Sequence, residues 1–226
     1  MQQVLAFDVY GTLIDTDGLT RQLATVLGDR APAFSKQWRE RQLEYSFRRA
    51  LMGDYVPFRV CTAQALEQTS RSFAVTFPTD FIADLLAQYR RLPAYRDVTE
   101  GLRAAAAHGY RCVAFSNGDP ESLDELLESA GLRTHLSAVI SVDPVRSFKP
   151  DPKVYHYLLE QVQTPAGQTC MVSSNPFDVL GAAHAGLQTA WVARSPQAVF
   201  DPWGVEPTWQ VGDLQQLMVT LGSGER

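Results

Sequence analysis

Apolar positions along this chain recur with two different periods, and the change between them divides it. Val4, Leu5, Ala6 and Phe7 form an unbroken apolar run that stops at Asp8 and is followed by Val9, Tyr10, Gly11 and Thr12. A run of that length closed by a polar residue and a glycine predicts a buried strand ending in a carboxylate and a tight turn. After a turn over Leu13 to Asp17 the spacing becomes helical and stays so for about seventy-five residues. Leu19, Leu23, Val26 and Leu27 predict one helix. A longer one is expected from about Ser35 to Met52, with Trp38, Gln42, Tyr45, Arg49 and Met52 on one line and Arg39, Leu43, Phe47 and Ala50 on the next. Pro57 opens a third helix through Phe58, Cys61, Ala65 and Phe73, and Thr79 is expected to cap a fourth carrying Phe81, Ile82, Leu85, Leu86 and Tyr89. Four helices with short links predict a small bundle.

From Leu92 and Pro93 onward helix and strand alternate, which predicts a parallel sheet with crossover helices. Strands are expected at Tyr110–Phe115, Ala138–Val142, Cys170–Val172 and, as the last, Thr189–Val192. Helices are expected at Val98–His108, Pro120–Ala130, Val154–Val162 and Pro176–Ala185. There is no internal repeat or low-complexity segment.

Composition narrows the class. The 226 residues are 45% hydrophobic and 20% charged, the proportions of an ordinary globular protein. A net charge of −5 gives no reason to expect nucleic acid or an anionic membrane as partner. The helical stretch is mildly basic over an acidic remainder, which is compatible with a small anionic substrate and equally with a solvated face. Cys61, Cys112 and Cys170 are scattered, without metal-type spacing, and read as small core residues of a reducing compartment. His108, His135, His156 and His184 are dispersed and suggest no ligand cluster. With no charged leader before an apolar segment and no run near the ~18 apolar residues of a membrane span, the expected location is the cytoplasm.

Candidate chemistry lies where polar clusters follow four separate strands: Asp8 with Thr12, Ser116 with Asn117, Lys149, and Ser173 with Asn175 and Asp178. In a doubly wound sheet the ligand crevice lies beyond the carboxyl ends of the strands, where these loops meet. Taken singly each has a plainer reading: Asp8 as a turn residue, Lys149 as a surface lysine before Pro150, Arg39 as a surface ion pair with Glu40 or Glu44.

Five stretches together resemble the haloacid dehalogenase superfamily, and within it the L-specific, type II 2-haloacid dehalogenases. They are Phe7 to Leu13 (FDVYGTL), Trp38 to Tyr45 (WRERQLEY), Ser116 to Gly118 (SNG), Ser141 to Tyr155 (SVDPVRSFKPDPKVY) and Val172 to Ala182 (VSSNPFDVLGA). They stand in family order and span nearly the whole chain. The resemblance implies an α/β fold, a Rossmann-like parallel-sheet core with an inserted helical-bundle cap: core from 1–15 and 94–226, cap from 16–93. The implied reaction is hydrolysis of short L-2-haloalkanoic acids to D-2-hydroxy acids through an aspartyl ester. Cofactor and metal are none, released halide is the second small anion, and the expected assembly is a homodimer.

By the same resemblance Asp8 is the nucleophile, oriented by Thr12 and Ser173. Ser116, with loop amides including those of Tyr10 and Asn117, binds the substrate carboxylate. Lys149 neutralises the crowded carboxylates, Asp178 activates the hydrolytic water with Asn175, and Arg39 receives the departing halide. Tyr10, Leu43, Phe58 and Phe177 form the apolar wall, with Tyr155 near the site. Arg41, Glu40 and the Pro176-Phe177 pair depart from common family residues; the first reads as a surface change, whereas the others touch the pocket, so substrate size and halogen preference stay open. Two alternatives remain. A metal-dependent phosphatase of the superfamily would carry acidic residues where Tyr10 and Ser174 stand. A non-catalytic binding protein on the same fold would have no use for a nucleophile facing a water-activating base.

Overall fold

The structure, a computed structural model, describes residues 3–223. The first strand, β1, is Val4–Phe7, and all four of its residues are buried. Removing Leu5 and Phe7 from water stabilises the fold by roughly 1.5–3 kcal/mol each. Four helices follow: α1 (Asp17–Leu27), α2 (Ala31–Met52), α3 (Phe58–Ser72) and α4 (Thr79–Gln88). The chain then alternates through α5 (Val98–Ala107), β2 (Arg111–Ser116), α6 (Pro120–Ser129), β3 (Ala138–Ser141), α7 (Pro152–Val162), β4 (Thr169–Ser173), α8 (Pro176–His184) and β5 (Gln188–Val192). It ends with β6 (Trp209–Val211) and α9 (Leu214–Ser223).

Among the described residues the six strands form one sheet in the order β3-β2-β1-β4-β5-β6, with every pair parallel. The architecture is a Rossmann-like α/β core with a four-helix cap inserted after β1. From β1 the chain winds first toward β3 and then, from β4, toward the other edge, so the strand order reverses beside β1. Register decides what meets there. Phe7 lies opposite Ala114 on one side and Val172 on the other, so Asp8 emerges level with Phe115 and Ser173. The loops after β1, β2 and β4 therefore open at one edge.

Three expectations need correction. The second helix starts at Ala31 rather than Ser35, because Pro32 lies in its first turn, where a missing N–H costs nothing. Thr79 is the first residue of α4 and makes no side-chain cap; the cap position is Pro78. The sheet also does not end at Val192: β6 adds to its edge, three residues being too few for a periodic signal. The helix α9 after it packs so closely on α5 that a Cβ on Gly101 would lie 2.5 Å from that of Leu214. The first two and last three residues of the expected core segments lie outside the described residues.

Candidate active site

The site is built around the carboxylate of Asp8, which is 7% exposed at the end of β1. Its Oδ2 receives three donors: Thr12 Oγ1 at 2.9 Å, Asn175 Nδ2 at 2.7 Å and Ser173 Oγ at 3.3 Å. Its Oδ1 receives Lys149 Nζ at 3.1 Å. The backbone holds these donors in place. The Ser174 amide donates to Thr12 Oγ1 at 2.9 Å, and the Asn175 amide donates to Ser173 Oγ at 3.1 Å. Each hydroxyl thus accepts from a loop amide and turns its own proton toward Asp8. Ser173 and Thr12 are fully buried.

Lys149 is 1% exposed, and a buried ammonium is tolerated only when its protons are taken. Here all three are: by Asp8 Oδ1, by Asp178 Oδ2 at 2.9 Å and by the Phe115 carbonyl at 2.8 Å. The ring of Phe115 lies beneath it, 4.5 Å from Nζ. Asp178, from the first turn of α8, has no exposed surface, and its Oδ1 receives the Tyr155 hydroxyl at 2.8 Å. Burial pushes the Asp178 carboxyl above the ordinary carboxylate range, and the Lys149 ammonium opposes that shift. Tyr155 is itself wholly buried, so its hydroxyl buttresses Asp178 from behind, and burial followed by the charge of Asp178 raises its pKa.

Arg39 turns inward from α2. One guanidinium nitrogen, Nη2, donates to the Tyr10 carbonyl and to Asn175 Oδ1, each at 3.1 Å. The glutamates that could have paired with it have other partners: Glu40 lies 3.8 Å from Lys36, and Glu44 is held by Arg41 and Arg48. Room for the guanidinium comes from Gly11, where a Cβ would sit 3.0 Å from Nη2 and where φ is +82°.

Ser116 is buried at the end of β2, and its Oγ accepts the Gly118 amide at 3.1 Å. Asn117 Oδ1 accepts the Lys149 amide at 2.9 Å, which ties the second loop to the third. The Tyr10 ring packs on Phe58, with centroids 6.3 Å apart, and Phe58 on Phe148 at 5.9 Å. Burial raises the Tyr10 phenol's pKa. A cavity of about 520 Å³ borders Tyr10, Phe58, Tyr89 and Gly118, with Arg59, Arg90 and Arg91 at its rim. Phe177 stands against Phe47 at 5.1 Å and also lines a surface cavity with Pro150 and Leu180. Leu43 is half-buried against the hydrophobic core.

All the sequence-selected polar residues therefore fall in one connected hydrogen-bonded group or on the loops that frame it. Sequence reading passed over Ser174 as a participant, although its hydroxyl donates to the Gly11 carbonyl at 2.7 Å and its amide to Thr12. It also passed over Arg194, which donates to the Thr12 carbonyl at 2.6 Å and to Asp97 at 2.7 Å. The serine was visible as part of the Ser-Ser-Asn cluster; nothing local marks the arginine. Among the described residues no group of three or more His, Cys, Asp and Glu side chains could hold a metal ion. At the positions that separate the two enzyme classes stand an aromatic ring, Tyr10, and a hydroxyl, Ser174, and the space between Asp8 and Asp178 is taken by the ammonium of Lys149.

The description "haloacid dehalogenase-like hydrolase" belongs to the family model that matches residues 2–186. The chain is 34% identical to the (S)-2-haloacid dehalogenase of Pseudomonas sp. (strain YL) over 214 residues, 95% of this chain and 92% of that protein. It is also 34% identical to haloacetate dehalogenase H-2 of Moraxella sp. (strain B), over 92% of this chain and 93% of the other. The structure of the L-2-haloacid dehalogenase of Xanthobacter autotrophicus with chloropropionic acid covalently bound superimposes with a TM-score of 0.91 at 32% identity. That match covers 98% of this chain and 99% of that one.

Proposed function

Since the chain belongs to the haloacid dehalogenase-like hydrolases, we propose that it is an (S)-2-haloacid dehalogenase, converting short L-2-haloalkanoic acids to D-2-hydroxy acids through an ester on Asp8. The observation that carries this reading is the unequal solvation of the Asp8 carboxylate. Oδ2 is held by three donors, whereas Oδ1 takes one among the described residues, Lys149. The less encumbered Oδ1 is the better nucleophile, and Oδ2 is already surrounded as the oxygen of an acyl group should be.

In the first step Oδ1 forms a bond to the halogen-bearing carbon from the face opposite the halogen. The carbon–halogen bond breaks, its electron pair leaves with the halide, and the carbon inverts once. Arg39 receives the halide through charge-assisted hydrogen bonding, with Asn175 beside it. Ser116 and the loop amides of Tyr10 and Asn117 hold the substrate carboxylate, and Tyr10, Leu43, Phe58 and Phe177 enclose its alkyl part. Tyr155 acts through Asp178.

In the second step Asp178 takes a proton from water, whose oxygen adds to the Asp8 carboxyl carbon. The charge passes to Oδ2 and is met by Thr12, Ser173 and Asn175. Collapse breaks the bond to Oδ1, the departing alkoxide takes a proton from Lys149, which recovers it from Asp178, and the Asp8 carboxyl, left holding the other water proton, releases it to solvent and is again a carboxylate. An expelled halide needs no proton, so a tyrosine at position 10 is compatible with this chemistry where an acid is required for a leaving alkoxide. A carboxylate monoanion held by hydroxyls and amides calls for no divalent cation, and no step uses a cofactor.

We assign residues 16–93 to the cap and 1–15 with 94–226 to the core, the cap closing over the crevice. Three buried, unpaired cysteines support a reducing, cytoplasmic setting. Exposed Leu51 and Met52 at the end of α2 support a homodimer, which light scattering will detect. No helix among the described residues is long and apolar enough to cross a membrane. The function is tested by halide release from L-2-chloropropanoate with EDTA present, beside a generic phosphate ester. Halide from the former and no phosphate from the latter is the expected result; activity lost to EDTA and restored by Mg²⁺ would sink it.

A further inference from the structure

The linker between α2 and α3 reaches across from the cap to the core, and its Tyr55 plays no part in the chemistry set out above. The Tyr55 hydroxyl donates to Asp143 Oδ1, in the loop after β3. Its ring packs on Phe148, with centroids 5.1 Å apart, and the guanidinium carbon of Arg146 lies 5.3 Å from the ring centre. Behind the linker the cap is stiff. Arg49 of α2 donates to the Asp54 carbonyl at 3.1 Å, to the Asp54 carboxylate, and to Gln64 of α3 at 3.1 Å. Tyr55 is therefore carried as a fixed projection of the cap. Burial, followed by the bond to Asp143, pushes its phenol well above the ordinary pKa, so it stays a donor across the working pH range.

What Tyr55 grips is joined to the site on both sides. In the core, Phe148 is wholly buried and directly precedes Lys149, whose ammonium bridges Asp8 and Asp178. The Asp143 amide donates to Ser141 Oγ at 3.1 Å, and that hydroxyl donates to the Gly118 carbonyl at 2.6 Å, in the loop of Ser116 and Asn117. In the cap, Phe58 opens α3 and packs on Phe148 at 5.9 Å and on Tyr10 at 6.3 Å. Only Val56 and Pro57 separate it from Tyr55, and the proline ring fixes its own φ, here −55°. Phe58 also borders the cavity of about 520 Å³, so on that side the wall has space to retreat. An anchor at Tyr55 opposes the retreat.

We propose that Tyr55 is a positioning residue that sets substrate size: by gripping Asp143 and Phe148 it pins the start of α3 to the core and holds Phe58 beside the alkyl part of the substrate. The inference rests on the reading of Phe58 as part of the apolar wall. A wall held in place touches a three-carbon acid and crowds a longer one. A wall released toward the cavity does neither, and selectivity moves toward longer chains.

The test uses Tyr55→Phe, which keeps the ring on Phe148 and removes the hydroxyl. For wild type and variant, kcat and KM are measured with L-2-chloropropanoate and L-2-chlorohexanoate, together with the melting temperature. The ratio of kcat/KM for the longer acid to that for the shorter is expected to rise about tenfold, the order of one methylene of pocket contact. The rise should come through a higher KM for the shorter acid, with its kcat little changed. Asp143→Asn retains an acceptor oxygen and should stay close to wild type. Asp143→Ala should match Tyr55→Phe, and the double variant should add nothing further. If Tyr55→Phe does not fold, Asp143→Ala gives the same reading. A ratio unchanged from wild type, or an equal fall on both acids, overturns the proposal; the equal fall marks a merely structural contact. Phe58→Ala is the control: if it leaves the ratio unchanged, the wall reading fails and this inference with it, whereas a ratio shifted in Phe58→Ala alone rejects this inference and keeps the wall. Chloride from neither acid with wild type would sink the dehalogenase reading itself.

Discussion

At the scale of single residues, two side chains have opposite electrostatic problems. Arg39, proposed above as the halide acceptor, is a charge held by two oxygen acceptors, the Tyr10 carbonyl and Asn175 Oδ1. Arg39→Ala is expected to reduce halide release by at least a hundredfold, the order of cost of losing one preorganised charge donor, with the melting temperature nearly unchanged. Arg39→Lys should recover little, because a point ammonium does not reproduce the planar fork. Asp178 is a charge held against burial, its proton affinity raised above the ordinary value of 3.8. The folded protein therefore binds this proton more tightly than the unfolded chain. The resulting destabilisation is absent below pH 3.8 and grows as pH rises through the shifted value. The proposed role of Asp178 as base requires its ionised form and runs the other way: ester hydrolysis should fall as pH drops through a value above 3.8. A pH profile of single-turnover hydrolysis checks the limb. In Asp178→Asn the covalent adduct should accumulate on Asp8 and be seen in the intact-protein mass.

Elements matter here through what their ends carry. Three parallel strands in register bring Asp8 level with Phe115 and Ser173, with Ser116 one residue beyond, and the loop before α7 delivers the Lys149 ammonium between Asp8, Asp178 and the Phe115 carbonyl. The turn after β1 is braced from outside by Arg194, in the segment after β5. It holds the Thr12 carbonyl, stacks on Tyr95 at 4.3 Å and engages Asp97, whose other oxygen takes the Leu214 amide at the start of α9. Removing it leaves the half-buried Asp97 carboxylate and the Thr12 carbonyl short of a donor. Arg194→Met should cost about 1–3 kcal/mol of stability, measured by urea denaturation. The same variant should loosen Thr12 and slow turnover; unchanged stability and rate would show that the brace is idle.

For the molecule as a whole, what matters is that Asp8 and Asp178, proposed above as nucleophile and water-activating base, come from distant parts of the chain to one buried ammonium. Stereochemistry cannot separate ester formation from direct attack by activated water, because both invert the carbon. Oxygen origin can. With enzyme in excess and labelled water, the first turnover should place an unlabelled oxygen from Asp8 in the product and leave the label in Asp8. Labelled product with unlabelled Asp8 would demote Asp8 from nucleophile to base.

Near-neighbour patterning was enough to determine much of this. The apolar run ending at Asp8, the helical period through the cap and the alternation after Pro93 each depend on which face of a segment is apolar, and that is written in adjacent residues. The same patterning put polar clusters behind four strands, and so named Asp8, Lys149 and Asp178 together. It could not say which way Arg39 points. Glu40 and Glu44 were as available to it, by spacing, as the carbonyl it reaches 29 positions away. Nor could it show that Lys149 bridges Asp8, 141 positions away, to Asp178, that Tyr155 backs Asp178, that Arg194 braces Thr12, or that Tyr55 bonds Asp143, 88 positions away. Those pairings exist only once sheet register and cap closure bring distant segments together. Burial then forces each polar group to find a partner, and the partner is chosen by tertiary distance, which no local period encodes.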